Sequence, residues 1–186
     1  ASQIVKLPFN VDVFSPDENR TDGAIGDKGK TYPAEMLPQN LFSEDIAFQL
    51  GSGKDGLNNA LECHGQQVKL PEGKYNKLYF LASAKSSTTG KFMAGNSVQT
   101  FSVQPWTGFV GQWDKRVFDP DNIRHLERVK AGYIKRDNIA WYSSHHHEPT
   151  RNVAYEYSYI FKYEMGVPED AKYLKMPNNP NIMVFA

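Results

Sequence analysis

The chain has 186 residues, a length that fits one domain with a sizeable hydrophobic core. Its 21 Lys and Arg residues balance its 21 Asp and Glu residues, which excludes a general electrostatic attraction to nucleic acid or to an anionic membrane. No apolar run approaches the roughly 20 residues of a membrane helix. We therefore expect a domain that recognises a neutral partner, without a nucleic acid or a membrane as its target.

Short strands and turns dominate the first half of the sequence. Residues 3–14 (QIVKLPFNVDVF) alternate apolar and polar side chains, which predicts one or two short strands. Residues 15–32 are rich in Gly, Asp and Asn and predict a long loop. The segment PAEMLP at residues 33–38 predicts a single helical turn, because Pro33 suits a helix start and Pro38 a stop. Further short strands are predicted at residues 46–50, 67–70 and 77–82.

The second half holds the clearest strand, at residues 154–163 (AYEYSYIFKY). Its aromatic side chains recur at every second position, and this alternation predicts that they share one buried face of a strand. They are Tyr155, Tyr157, Tyr159, Phe161 and Tyr163. A final strand is predicted at residues 182–185. Apart from the turn at residues 33–38, residues 121–129 (DNIRHLERV) form the one segment with helical potential.

Strands separated by turn signals, without a long amphipathic helix, favour a sandwich or a barrel over an α/β sheet. The predicted fold class is therefore all-β, a jelly-roll β-sandwich. We expect it to occupy residues 1–186 as a single domain.

The early loop carries oxygen donors of the kind that calcium prefers. Glycines within the loop allow backbone carbonyls to turn inward, and calcium takes about six to eight hard oxygen ligands. The spacing does not match an EF-hand, and local turns made by Asp and Asn side chains explain the composition equally well. The candidate ligands of a structural calcium ion are Asn10, Asp12, Asp17, Asn19, Asp22 and Asp27.

Residues 104–118 (QPWTGFVGQWDKRVF) combine aromatic and polar side chains. Indole rings stack on the apolar faces of sugars, and carboxylate, amide and guanidinium groups hydrogen-bond to sugar hydroxyls. Trp106, Trp113, Asp114 and Arg116 are therefore candidate carbohydrate-binding residues. The alternative is that the tryptophans are buried for packing, as most tryptophans are.

Residues 139–149 (IAWYSSHHHEP) hold a third candidate cluster. On an extended strand His145 and His147 share a face, while His146 points the other way. Together with Trp141 they are interpreted first as carbohydrate-binding residues. The alternative is a metal pair of the cupin type, although the Glu and the later His of that pattern are not well placed.

Several motifs resemble the accessory β-sandwich domain of bacterial α-mannosidase-like and related glycoside hydrolases. The most specific are YPAE, GQWD and the closing pattern of Leu-x-x-Pro, Pro-Asn turn and terminal strand, and the similarity runs over nearly the whole chain. The resemblance implies a galactose-binding-domain-like jelly roll, a structural calcium ion in the early acidic loop and carbohydrate recognition. It also implies a secreted, cell-surface or periplasmic bacterial protein in which this domain is covalently linked to a catalytic domain.

The leading functional hypothesis is a non-catalytic, monomeric carbohydrate-binding module that recognises a polysaccharide or oligosaccharide. The first alternative is an enzyme, either cupin-like and metal-dependent through His145 and His147, or glycan-active through Asp114 with a histidine as acid or base. The second alternative is a purely structural accessory domain.

Overall fold

The computed structural model describes residues 2–26, 29–38, 40–135 and 137–186, and β-strands make up most of it. Short 3₁₀ helices lie at Asp17–Asn19 and Ala34–Met36. In chain order the strands are β1 (Phe14–Ser15), β2 (Tyr32–Pro33), β3 (Leu41–Ser43), β4 (Ile46–Phe48), β5 (Leu61–His64), β6 (Gln67–Lys69), β7 (Lys77–Ala84), β8 (Thr88–Ala94), β9 (Ser97–Val103), β10 (Gly111–Gln112), β11 (Lys115–Asp119), β12 (Asn122–Lys130), β13 (Tyr133–Ile134), β14 (Asn138–Glu148), β15 (Arg151–Gly166), β16 (Tyr173–Lys175) and β17 (Asn178–Val184).

Two antiparallel sheets form the sandwich. The larger sheet has the strand order β14-β15-β7-β17-β5, and the smaller has the order β6-β16-β8-β9. A core of aromatic and aliphatic side chains is contributed by both sheets. Phe80 of β7 packs on Phe92 of β8 with ring centroids 4.7 Å apart, and on Tyr163 of β15 at 5.4 Å. The all-β, jelly-roll-type sandwich predicted from the sequence is confirmed.

A second core covers the opposite face of the larger sheet. Successive residues of one strand point to opposite faces, so Leu81, Ile160 and Met183 enter this second core while their neighbours enter the first. The N-terminal part of the chain supplies the other side, including Phe14 and Tyr32. Because both faces are covered, the central strands contain continuous runs of buried residues.

Tyr32 is the central contact of this second core. Its ring packs against Phe14, Trp106 and Phe185, with centroids 5.0–5.7 Å away. Its hydroxyl donates to the backbone carbonyl of Tyr159, at 2.8 Å. Tyr32 thereby fastens the N-terminal layer, residues 10–60, to the middle of the larger sheet.

A bulge interrupts the aromatic strand β15. The pairing with β14 passes from Ser158 directly to Ala154, so residues 155–157 bulge out of the ladder. Tyr155 has a φ of +64° and is 81 % exposed. The predicted buried face is therefore correct for Tyr159, Phe161 and Tyr163. It is wrong for Tyr155 and for Tyr157, which is 38 % exposed, because the bulge removes the alternation there.

Residues 111–134 form a two-stranded ribbon, which we call the arm. β10 pairs with β13 and β11 pairs with β12, and neither pair joins the two large sheets. The helical potential of residues 121–129 is not realised, since they form the exposed strand β12. No helix among the described residues has the length and hydropathy to cross a membrane.

The hydroxyl of Tyr32 supports a prediction about stability. Tyr32→Phe removes a hydrogen bond to the carbonyl of Tyr159 and the contact with the hydroxyl of Ser83, leaving buried polar groups without a partner. We expect the free energy of unfolding to fall by about 1–3 kcal/mol, measured by urea denaturation. Tyr75→Phe is the control, because the hydroxyl of Tyr75 makes an exposed hydrogen bond to Glu72. Equal stability of the two variants would contradict the assignment.

Candidate metal centre

The three consecutive histidines lie at the end of β14, where strand alternation divides them between two faces. His145 and His147 lie on one side with ring centroids 5.4 Å apart, and His146 faces Trp106 on the other side, at 5.4 Å. Backbone hydrogen bonds join His147 to Thr31, at 3.0 and 3.1 Å. The chain between β1 and β2 therefore lies directly beside this end of β14.

Glu35 completes the group from the N-terminal layer. It lies in the 3₁₀ helix Ala34–Met36 that follows Pro33, where the sequence predicted a helical turn. Its Oε1 is 3.1 Å from Nε2 of His147 and 3.4 Å from Nε2 of His145. The three ligand atoms lie within 4.8 Å of one another.

These separations fit a metal ion. Zinc–nitrogen and zinc–oxygen bonds of about 2.0–2.1 Å in a tetrahedral site place neighbouring ligand atoms about 3.3–3.4 Å apart. The distances from Glu35 Oε1 to the two imidazole nitrogens, 3.1 and 3.4 Å, are close to that value. The residue types and the two carboxylate–imidazole separations therefore match those of a transition-metal site, and the 3.1 Å separation is also that of a hydrogen bond between Glu35 and His147.

The ring of His147 is held in a defined orientation. Its side chain is fully buried, and its Nδ1 is 2.9 Å from the hydroxyl of Ser15, which also contacts Thr31. When Nδ1 carries the proton and donates to Ser15, the lone pair of Nε2 points towards Glu35. Burial lowers the pKa of His147, although the carboxylate of Glu35 opposes this effect. The neutral imidazole, which is the form that binds metals, is thereby favoured.

His145 presents a buried nitrogen that needs a partner. Its Nε2 is shielded from solvent and makes no hydrogen bond among the described residues, although Glu35 Oε1 is 3.4 Å away. A buried polar atom without a partner costs about 1–3 kcal/mol. Coordination of an ion would satisfy this atom.

Asp17 lies at the edge of the cluster. Its Oδ1 is 3.8 Å from Nε2 of His147 and accepts hydrogen bonds from Arg20 and Asn152. Hydrogen bonds from Asn152 and Arg20 hold the pKa of Asp17 below its usual value. The cluster thus has a second carboxylate beside it, one that is ionised and fixed in position.

His146, between the two cluster histidines, has different surroundings. Its Nδ1 is 3.2 Å from the carbonyl of Glu156 and 3.4 Å from the hydroxyl of Thr107. Burial lowers its pKa. It packs under the bulge of β15 and does not reach Glu35.

The predicted calcium ligands make different contacts, although Asp12 and Asp22 lie together and Oδ2 of Asp12 is buried without a hydrogen-bond partner among the described residues. Asn10 hydrogen-bonds to the backbone of Glu62, and Asn19 donates to Asp55. Asp12 accepts from Asn59. Within the described ranges, the one group of three or more His, Cys, Asp or Glu side chains with metal-like spacing is Glu35, His145 and His147.

Asp22 and Asp27 are two further predicted calcium ligands. Asp22 is close enough to Asp12 for its charge to help raise the pKa of Asp12, after the larger effect of burial, and it accepts the backbone N–H of Gly56. Asp27 lies outside the described residues. Calcium in this loop stays a prediction.

The predicted carbohydrate-binding residues also lie in separate places. Trp106 and Trp141 are 4 % and 8 % exposed and pack in the second core, whereas Trp113 is 93 % exposed on the arm. Asp114 and Arg116 lie beside Trp113, and Asp114 accepts the backbone N–H of Gly132 at 2.5 Å. His145 and His147 belong to the cluster with Glu35.

Fold and site together define a class: an all-β sandwich domain with a His–His–Glu cluster between its larger sheet and its N-terminal layer. A model of the AziU2-like beta-sandwich domain family matches residues 1–186, and the chain belongs to that family. No curated protein matches the chain significantly. The family supports the β-sandwich part of the resemblance described above, and the link to glycoside hydrolases stays a prediction.

Sequence reasoning missed Glu35 and Ser15 as members of the site. Glu35 lies 112 positions before His147, so no local spacing connects the two. The available signal was the Pro-bounded turn PAEMLP, which presents a carboxylate at a fixed position after β2.

The different burial of the tryptophans leads to a second prediction. Trp106→Ala leaves a cavity in the second core and should lower the free energy of unfolding by about 3–5 kcal/mol. Trp113→Ala should leave it nearly unchanged, because Trp113 is exposed. Chemical denaturation of both variants measures the difference, and a large loss for Trp113→Ala would show that the arm packs on the body.

Proposed function

We propose that this domain binds one divalent transition-metal ion through Oε1 of Glu35 and the Nε2 atoms of His145 and His147. The observation that supports the proposal most strongly is the convergence of these three atoms within 4.8 Å, with one of the nitrogens buried and unpartnered. The proposal extends the metal-dependent alternative suggested by the His-x-His pair alone.

The ligand set favours zinc or a neighbouring first-row metal. Two imidazoles and one carboxylate match the preferences of Zn²⁺, whereas calcium and magnesium prefer oxygen ligands. Three protein ligands leave a fourth position for water or a substrate oxygen, the arrangement of catalytic rather than structural zinc sites. The side chain of Glu35 is 38 % exposed, so the cluster is open on that side.

An ion held in this way supplies a Lewis acid that polarises a bound oxygen. Asp17, ionised and with Oδ1 3.8 Å from Nε2 of His147, would add negative charge beside such an ion. We therefore extend the proposal to a metal-dependent enzyme, in which the three ligands hold the ion and Asp17 lies beside it.

Calorimetric titration of the purified, metal-stripped chain with Zn²⁺ tests the proposal. We expect saturation at one ion per chain, and a tetrahedral visible spectrum with Co²⁺. Zinc at 100 times its Kd should stabilise the fold by about 2.7 kcal/mol. His145→Ala and His147→Ala should abolish binding, and Ser15→Ala should weaken it about 10–100-fold through loss of the contact that orients His147.

His64→Ala is the matched control, because His64 is an exposed histidine that contacts Glu62 away from the cluster. It should bind zinc as the wild type does. Binding that survives both cluster substitutions, or no binding by a folded wild-type chain, would overturn the proposal.

A second candidate function is carbohydrate recognition on the arm. The observation that favours it is the exposed indole of Trp113, which lies on a shallow, open surface with Phe109, Gln112, Asp114 and Arg116. This is the aromatic and polar combination that sugars bind. This candidate keeps the role in polysaccharide recognition that the sequence suggested, with Trp113 as the one exposed tryptophan of the three. A covalently linked catalytic domain and a secreted or cell-surface location are part of the same proposal.

A glycan array followed by calorimetry tests this second candidate. We expect saturable binding that Trp113→Ala abolishes and that Trp113→Phe partly retains. Exposed Tyr142→Ala, on β14, is the control for a lost aromatic side chain. Binding that does not change in Trp113→Ala would remove the arm from carbohydrate recognition.

A further inference from the structure

The arm lacks a packing partner within the described residues. Its strands pair only with each other, and all nine residues of β12 are exposed. A two-stranded ribbon without a third strand or a covering layer is marginally stable in water. A partner that packs against the arm would therefore stabilise it.

One face of the arm is apolar. Val129 lies opposite Arg116, and Leu126 lies opposite Phe118. Arg116 and Phe118 are two positions apart on β11, so their side chains share a face. Phe118, Leu126 and Val129 are each 43–50 % exposed. They form the apolar face of the arm, with Arg116 at its base.

The opposite face is cationic. Lys115 lies directly opposite Lys130, and Val117 lies opposite Arg128. Like charges placed directly across a ribbon are destabilising. None of the ion pairs among the described residues includes a residue of the arm.

Charge changes sign along the arm. The base carries Lys115, Arg116 and Lys130 with the single acidic residue Asp114, for a net positive charge. The tip carries Asp119 at the end of β11, Asp121 in the turn and Arg124 at the start of β12, for a net negative charge. Asp119 accepts the backbone N–H of Asp121 at 2.8 Å and so stabilises the turn. Two arms laid side by side in opposite directions would bring the acidic tip of each to the cationic base of the other.

We propose that the arms of two copies of this chain pack against each other, antiparallel and through their apolar faces, in a two-fold symmetric dimer. Phe118, Leu126 and Val129 of each copy form the centre of the contact. Arg116 of each copy faces Asp121 of the other. A two-fold contact uses the same patch twice, and the arm provides both the apolar centre and the complementary charges that such a patch needs.

A second copy fits the arm better than a different occupant. An acidic polymer would neutralise the cationic face and leave the apolar face in water. A second arm covers the apolar face and pairs Arg116 with Asp121 at both ends, while Lys115 and Lys130 on the opposite face stay in water. The zero formal charge of the chain also means that two copies do not repel each other. The proposed dimer differs from the monomer expected from the sequence, which stays a prediction.

Sedimentation velocity of the full chain over a range of concentrations tests the dimer. We expect a concentration-dependent dimer for the wild type and a monomer for Leu126→Asp, with the same far-ultraviolet circular dichroism. Val98→Asp is the matched control, because Val98 is a similarly exposed apolar residue on β9, and it should dimerise normally. A wild type that stays monomeric throughout, or a Leu126→Asp variant that still dimerises, overturns the proposal.

Charge exchange tests the antiparallel arrangement. Arg116→Glu and Asp121→Lys should each weaken self-association, because each places like charges opposite one another in the dimer. In the mixed dimer of the two variants, one end holds the exchanged pair of charges and the other end holds the native pair of Arg116 and Asp121. An equimolar mixture should therefore restore attraction at both ends and dimerise more strongly than either variant alone. If the mixture dimerises no more strongly than each variant alone, the antiparallel contact is contradicted. Both variants should bind zinc as the wild type does, so the result is independent of the proposed metal site.

Discussion

The buried hydroxyl of Tyr32 ties the N-terminal layer to the larger sheet. By donating to the carbonyl of Tyr159, it fixes β2 over the middle of that sheet, and the backbone pairing of Thr31 with His147 follows at the sheet end. Pro33 then directs the chain into the 3₁₀ helix that carries Glu35. The cluster is therefore a product of layer packing, because its carboxylate and its imidazoles come from different layers of the protein.

The sequence made the sandwich predictable because strand alternation is a local property. The aromatic residues of β15 identified one buried face correctly from Tyr159 onwards. Alternation failed at Tyr155, where a bulge in the pairing with β14 turns the backbone to positive φ. Bulges depend on the partner strand, so one strand read alone does not reveal them.

The arm shows a second limit of local patterns. Ile123, Leu126 and Val129 recur at every third position, a spacing that one face of a helix also produces. The pairing of β12 with β11 is interrupted by register shifts, which change the side-chain period along the strand. The same shifts explain why residues 121–129 suggested a helix and form a strand.

The candidate site was predictable only in part. The His-x-His pattern correctly placed His145 and His147 on a common face, because that depends on the strand alone. Trp106 and Trp141 are residues of the type that stacks on sugars, yet they lie in the second core. They are buried because the N-terminal layer covers that face of the sheet, which the local sequence does not reveal. The AziU2-like family assignment identifies the fold, while the function has to be argued from the site.

The separation of Glu35 and His147 by 112 positions in the sequence also bears on when the cluster forms during folding. Contacts between distant parts of a chain form slowly, because a long loop must close before they are made. The cluster cannot assemble in a nascent chain whose β14 has not yet been synthesised, nor in a folded sheet from which the first 35 residues have been cut away. Occupancy of the cluster would therefore distinguish chains that have finished folding from those that have not.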